Sequence, residues 1–211
     1  MGKNHRDGNP FRGIPLISPT LELDRAVKRA ISLSPPKISK GPLVRHKILL
    51  LTRISYIQRH LERKFMTLIR STPSVDKIHQ FYMRILNIYL DLDAFKRTLG
   101  RINGALRVIR KLSKEYKSLI RSVKPAVYMD ERAAIRNLYR LWRQYLARIS
   151  SFITEIKDAF DLLNVAISRM RKLPDYNPEL PAIVVCGPPN SGKSSLVGAL
   201  SNAKVEVAEY P

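Results

Sequence analysis

The chain has 211 residues, enough for one or two domains, and a hydrophobic fraction of 45%, ordinary for a globular protein. Its 38 Lys and Arg against 17 Asp and Glu give +21, and the single Cys186 excludes an internal disulfide framework and fits a reducing compartment. No apolar run approaches the roughly 18 residues that cross a bilayer. The greasiest stretch, residues 48–57, is broken by Arg53, and the first residues hold neither an apolar signal core nor a Ser or Thr placed for N-terminal acylation. These features read as a cytoplasmic protein with no membrane partner.

The charge is uneven. Residues 1–172 hold 36 of the basic and 13 of the acidic side chains, a net +23, whereas residues 173–211 are at −2. A folded polycation repels itself and is expected to meet a polyanion, nucleic acid before an acidic membrane.

In chain order, residues 1–19 are rich in Gly, Pro and Asn without periodicity and read as an extended arm. Thr20 offers an N-cap for a short helix with Leu23, Ala26, Val27, Ala30 and Ile31 on its apolar face. SPPKISKGP (34–42) breaks it. A long helix is predicted over about 43–70, where Val44, Ile48, Leu51, Ile54, Ile57, Leu61, Phe65 and Leu68 recur at helical spacing. After STPS (71–74), Ser74 can cap a helix to about residue 90. The next apolar stripe runs from Leu92 through Phe95, Ile102, Leu106 and Ile109 to Leu119, with Pro125 as its stop; Gly100 and Gly104 inside it predict close approach of a neighbouring helix or chain.

The clearest pattern spans residues 130–172. Ile135, Leu138, Trp142, Tyr145, Ile149, Phe152, Ile156, Ala159, Leu163, Ala166 and Met170 alternate in steps of three and four, a heptad seam on which Trp142 reads as core. One helix of about 40 residues there would be roughly 60 Å long. Two or three long antiparallel helices with short breaks then form an elongated bundle over residues 20–172, with no sheet. The outer faces are basic: Arg107, Lys111, Lys114 and Arg121, preceded by Arg97 and Arg101; Arg45, Arg53, Arg59, Arg63 and Lys64 earlier; Arg136, Arg140, Arg143 and Arg148 on the last helix. Arginine forks suit phosphate oxygens, so these faces are expected to lie along a nucleic-acid backbone with little sequence reading.

Residues 173–181 form a Pro-rich linker, after which AIVVC (182–186) reads as a buried strand with Cys186 as a small hydrophobe. Gly187-Pro188-Pro189-Asn190-Ser191-Gly192-Lys193-Ser194 fits G-x-x-x-x-G-K-[ST] in full, with Ser195 and a helix-compatible run behind it. Gly187 and Gly192 let the backbone turn its N–H groups toward an anion. Lys193 neutralises β- and γ-phosphates, Ser194 binds the bridging Mg²⁺, and the new helix presents its positive end. His5, His46, His60 and His79 lack ligand spacing, so no metal site of protein ligands is expected. The fold class is mostly α: a helical bundle, then the first strand, loop and helix of a truncated α/β P-loop domain over 182–211.

These residues resemble the Nog-type nucleolar GTP-binding proteins of archaea and eukaryotes, in the Obg-related branch of translation-associated GTPases. The likeness runs nearly end to end, through NPFRGIP (9–15), FY (81–82), LDAFKRTLGRINGALRVIRKLSKEY (92–116) and residues 163–211, where PNSGKSS leads into AKVEVAEYP. The resemblance implies a helical bundle joined to a GTPase domain that uses GTP and Mg²⁺. It implies a role in maturing the large ribosomal subunit, with the protein docked on ribosomal RNA and pre-subunit proteins as a monomer, nucleolar in a eukaryote. Gly187, Asn190, Gly192, Lys193, Ser194 and Ser195 match the family loop, and the Asn position in related GTPases helps hold a monovalent cation, which implies K⁺. Ser191 stands where Val is frequent and Pro188 where an aromatic is common. In the family the terminal YP is followed by Phe-Thr-Thr, then by D-x-x-G and N-K-x-D; none of these occurs in the 211 residues. Three readings stay open: a ribosome-assembly GTPase, an RNA-binding helical module with an incomplete nucleotide site, and an ATP-using P-loop protein with an unrelated helical arm. Only the resemblance favours guanine. The 211 residues by themselves are expected to bind RNA and not to hydrolyse GTP.

Overall fold

The computed structural model of the chain describes residues 9–35, 41–74, 78–89, 91–124, 131–173, 180 and 183–200. The start of the arm, most of the 34–42 break, Pro125, Asp130, most of the Pro-rich linker and everything after Leu200 lie outside the described residues. The chain divides into two compact units, Met1–Tyr176 and Asn177–Pro211. The first holds α1 (Pro19–Ile31), α2 (Pro42–Ser71), α3 (Gln80–Tyr89), α4 (Leu92–Ser122), α5 (Glu131–Glu155) and α6 (Lys157–Arg171); the second holds α7 (Lys193–Leu200).

Local chemistry sets the helix starts. Pro19 sits in the first turn of α1 and Pro42 in that of α2, where a missing N–H costs nothing. The cap of α1 is therefore Ser18, not Thr20: the Glu22 N–H donates to the Ser18 carbonyl at 3.1 Å, and Thr20 lies inside the helix. Asp91 caps α4, its Oδ1 accepting from the Ala94 N–H at 2.9 Å.

The long last helix is in fact two. Ile156 still donates to the Phe152 carbonyl (3.2 Å), but the Ala159 N–H turns to the Ile156 carbonyl only three residues back (3.1 Å), a 3₁₀-type turn between α5 and α6. No Pro or Gly marks the place. The apolar seam continues across the turn, because Ile156, Ala159 and Phe160 are all buried.

Side-chain pairs fix the helix directions. Lys117 Nζ donates to Gln58 Oε1 (2.8 Å), Arg110 Nε to Glu62 Oε1 (3.1 Å), and Lys47 to the Val123 carbonyl, so α2 and α4 run antiparallel. Ser113 meets Tyr145, and Phe95 shares a cleft with Leu163, so α4 is antiparallel to α5 and α6. The Leu43 N–H donates to Glu131 (3.0 Å) and Phe65 packs on Phe160 with ring centroids 4.7 Å apart, so α2 runs parallel to α5 and α6. α1 lies antiparallel along α2, with Glu22 beside His60 and Arg53 beneath Ile31.

The core is one continuous cluster that includes Trp142, Tyr145, Phe65 and Phe160. Trp142 stacks on Tyr145 (6.0 Å), whose hydroxyl meets Ser113 Oγ at 3.1 Å; burial pushes the Tyr145 phenol up to about 12 against the lowering effect of that bond. The buried stripes of α2 and α4 are rotated from the expected ones at their ends. Leu43 and Leu50 are buried and Val44 is exposed; Ile120 is buried and Leu119 and, on α1, Ile31 are exposed. Gly100 and Gly104 do not mark the close approach of another helix among the described residues, since a Cβ on either meets nothing within 4 Å. They fall on the side of α4 opposite its buried residues.

The arm from Asn9 onward belongs to the core. Phe11, Ile14 and Ile17 are buried, and Asn9 Nδ2 donates to the Met170 and Leu173 carbonyls at 2.9 Å each, tying the arm to the turn that ends α6. Asn9 Oδ1 in turn accepts from the Phe11 N–H (2.9 Å), and Asn164 exchanges both amide bonds with the backbone of Ile17 (3.1 and 2.9 Å). Arg171 donates to the Ile14 carbonyl.

One buried carboxylate joins α1 to α2. Glu22 Oε2 meets His60 Nε2 (2.8 Å) and Lys64 Nζ (3.5 Å), and Oε1 meets Arg25 (2.8 Å). Burial raises the Glu22 carboxyl, but the His60 bond, the Lys64 charge and the Arg25 bond together hold it below its ordinary 4.5. A depressed acid stabilises the fold above its unfolded value, and that stability is lost as pH falls through the folded value. Urea titrations should show wild-type stability falling below about pH 4.5. Glu22→Gln should flatten that fall and lose on the order of 1–3 kcal/mol at pH 7; equal acid limbs would contradict this role. Phe160→Ala should cost about 3–5 kcal/mol in the same measurement; a loss below about 1 kcal/mol would show that this ring is not a core element.

Candidate phosphate loop and basic helix faces

The loop is built by its own residues. Asn190 and Gly192 take positive φ, 59° and 77°, which Gly adopts without cost and Asn tolerates better than most residues. These two positions fold the chain back over Gly187. A Cβ on Gly187 would lie 2.9 Å from Ser191 Oγ, so the first glycine leaves room for the closed turn. Gly192 then leads into α7, its carbonyl receiving the first helical bond from the Leu196 N–H at 2.9 Å. Lys193 opens α7 and curls back across the loop. Its Nζ donates to the Pro188 carbonyl and lies 3.4 Å from Ser191 Oγ. Pro189 completes the turn, and Ser194 and Ser195 occupy the next positions of α7. Among the described residues the Ser194 hydroxyl has no hydrogen-bond partner.

This arrangement fits a phosphate group and its Mg²⁺. The ammonium of Lys193 already rests on loop oxygens, acceptors that a phosphate oxygen can replace. Backbone N–H groups at the start of α7 are free of intrahelical acceptors, and Ser194 offers an unengaged hydroxyl oxygen. The strand expected over 182–186 is not formed among the described residues. Ile183 is 92% and Val184 80% exposed, and Cys186 is exposed instead of buried. A strand exists by pairing, and no second strand is described to pair with it.

The basic residues of the bundle fall into distinct places. Arg97, Arg101, Arg107, Lys111, Lys114 and Arg121 are all exposed on α4, and Arg97 lies 3.9 Å from Asp91. Arg110, three residues after Arg107, marks the side of α4 that meets α2 through Glu62. Arg107, Lys114 and Arg121 lie within roughly 60° of it around the helix, so they border the α2–α4 seam. Arg136, Arg140 and Arg143 are exposed on α5, with Arg140 bound to Asn137 (3.0 Å). Arg148 marks the α5 side that meets α4, through Glu115 at 3.3 Å. The three α5 arginines lie roughly 80–140° away from it, so they do not join the α4 row. Arg53 is no part of a basic face: it donates to the Ile31 (2.8 Å) and Leu33 (3.1 Å) carbonyls and closes the end of α1. Sequence reasoning missed Arg70 and Arg110. Arg70 continues the Arg59–Arg63 line on α2, but Arg110 joins it only through the α2–α4 register.

Among the described residues no cluster of His, Cys, Asp and Glu is arranged to hold a metal, and no helix is long and apolar enough to cross a membrane. Residues 182–211 match the 50S ribosome-binding GTPase family, and residues 11–176 match the NOG1 N-terminal helical domain. The uncharacterized protein MJ1408 of Methanocaldococcus jannaschii is 25% identical over 215 residues, covering 98% of this chain and 57% of that protein. Nucleolar GTP-binding protein 1 of Caenorhabditis elegans is 32% identical over 161 residues, covering 75% of this chain and 22% of that protein. The protein of the same name from Encephalitozoon cuniculi is 28% identical over 194 residues, covering 90% and 34%. The chain thus spans less than two thirds of each of these relatives. A helical unit matched over nearly its whole length, followed by a phosphate loop of matching type, means that the chain belongs to the family of the NOG1 N-terminal helical domain.

Proposed function

We propose that the chain is the N-terminal part of a GTP-driven switch in assembly of the large ribosomal subunit. Its helical bundle docks on ribosomal RNA, and its phosphate loop belongs to the domain that reads the nucleotide. The observation that carries the docking reading is the net +23 of residues 1–172, part of it displayed as the exposed row Arg107, Lys111, Lys114 and Arg121 on α4. An RNA backbone neutralises such a row through phosphate contacts, which makes the binding strongly salt-dependent and weakly sequence-dependent. Pre-subunit proteins are the second class of partner, and the protein acts as a monomer in the cytoplasm or, in a eukaryote, the nucleolus. The names of the relatives support GTP as the nucleotide. In the nucleotide site Lys193 and the loop N–H groups hold the phosphates, and Ser194 supplies an oxygen to Mg²⁺. Asn190 is the residue for a K⁺ ion.

The docking reading is tested by RNA binding across salt. Binding should weaken on the order of 10³-fold or more between about 50 and 200 mM salt. Reversing Arg107, Lys111 and Lys114 to Glu should weaken it further, and a flat salt response would overturn phosphate contact. The nucleotide reading needs a longer polypeptide that carries the D-x-x-G and N-K-x-D segments absent from these 211 residues. There Lys193→Ala should abolish Mg²⁺-GTP binding, and turnover should fall when Na⁺ replaces K⁺. The 211-residue chain should show no GTP turnover, and turnover at the longer polypeptide's rate would refute the need for those segments.

A further inference from the structure

Between α2 and α4 lies an open cleft of about 360 Å³ whose walls carry four guanidinium groups, Arg59, Arg63 and Arg70 from α2 and Arg110 from α4. Its one carboxylate is already engaged: Glu62 Oε1 accepts from Arg110 Nε (3.1 Å) and from Gln58 Nε2 (2.9 Å). Arg59 Nε donates to the Ser55 carbonyl (3.2 Å), and the Thr67 hydroxyl turns back to the Arg63 carbonyl (2.8 Å). Among the described residues Arg63 and Arg70 have neither a hydrogen bond nor an ion pair, and both are exposed. Positive charge is crowded along this seam. Lys117, two turns beyond Arg110 on α4 and outside the cleft, is held below its ordinary 10.5, first by burial and then by the charges of Arg121 and Arg59.

The spacing selects the ligand. Arg59 and Arg63 are one turn apart on α2, about 6 Å along the axis, and Arg70 follows about 10 Å further on. Three forks strung over roughly 16 Å exceed the reach of a single phosphate. They suit several phosphates in a row, which planar guanidinium groups grip two bonds at a time. None of the exposed large apolar side chains lines the cleft, so it lacks the residues that would enter a lipid surface. The cleft also adjoins the α4 row, since Arg107 and Lys114 sit one turn either side of Arg110.

We propose that the α2–α4 cleft grips consecutive phosphodiesters of one RNA strand, with Arg63 and Arg70 making the bidentate contacts and Glu62 holding Arg110 in place opposite them. This rests on the reading that the bundle docks on RNA, and makes the cleft, more than the outer rows, the point of closest hold. The test uses the full 211-residue chain, a fluorescent RNA hairpin and a salt titration, with Arg63→Gln/Arg70→Gln compared against Lys28→Gln/Arg29→Gln, which removes the same charge from an exposed face of α1. Urea midpoints establish that both variants fold. Arg63→Gln/Arg70→Gln should weaken binding about tenfold or more and lower the salt slope by about 2, and the α1 variant should change affinity less than about threefold. Arg63→Lys/Arg70→Lys keeps the charge without the fork and should fall between wild type and the Gln pair. Equal losses in the cleft and α1 variants, or an unchanged cleft variant beside a weakened Arg107→Glu/Lys111→Glu/Lys114→Glu chain, would overturn the cleft and leave RNA docking standing. A wild-type chain that ignores the hairpin, or prefers phosphatidylserine vesicles to it, would overturn both.

Discussion

A net +23 on 172 residues is the constraint that the bundle has to satisfy. Two like charges 4 Å apart at an effective dielectric of about 20 repel by roughly 4 kcal/mol, so basic helices cannot simply be laid together. Four of the thirteen acids in these residues stand where helices meet. Glu22 ties α1 to His60 and Lys64 of α2; Glu62 ties α2 to Arg110 of α4; Glu115 ties α4 to Arg148 of α5. Glu131, in the first turn of α5, accepts the Leu43 N–H at the start of α2. Because α2 and α5 run parallel, two positive helix ends lie side by side there, and one carboxylate serves both. The exposed pair among them, Glu115 with Arg148, adds little stability. The use of these contacts is in the register: they choose which basic side chains face inward to a partner and leave the others outside. The apolar seam supplies most of the stability, through residues such as Phe65, Tyr145 and Phe160 that are fully buried.

Helical periodicity made most of this legible. The step of three and four through Leu138, Trp142, Tyr145 and Ile149 reports a buried line directly, and these residues are buried. What it could not report is non-local. The turn at Ile156 keeps the seam intact and uses no helix breaker, so the pattern runs through it unmarked. Gly100 and Gly104 looked like a contact because glycine is costly in a helix, yet both face open space. Arg53 looked like one more basic surface residue until the end of α1 was placed beside it.

The arm shows the same limit in another form. NPFRGIP has no periodicity, so its composition reads as an extended arm. Its residues act singly instead: Asn9 closes the end of α6, Phe11 meets Tyr82 edge-on at 6.3 Å, and Ile14 is buried. An aperiodic motif is invisible to pattern reasoning because each side chain answers to a different, distant partner. The contacts pin the C-terminal end of α6, the last helix of the unit, to the first described residues of the chain. Leu173 is thereby tied to Asn9, and Phe11 ties the same arm to Tyr82 of α3.

The phosphate loop lies at the other extreme of legibility. Every feature that shapes it is within seven residues: positive φ at Asn190 and Gly192, a space at Gly187 that Ser191 needs, and a lysine that folds over its own turn. Short-range sterics decide such a structure, so eight letters suffice to state it. The basic surface is the reverse, a set of charges whose meaning depends on which helices lie side by side. Arg59 and Arg63 alone are two solvated arginines on a helix. They become a cleft only when antiparallel packing brings Arg110 across from them. A motif could name the phosphate loop in advance, but the arginine-lined cleft had to wait for the register of α2 against α4.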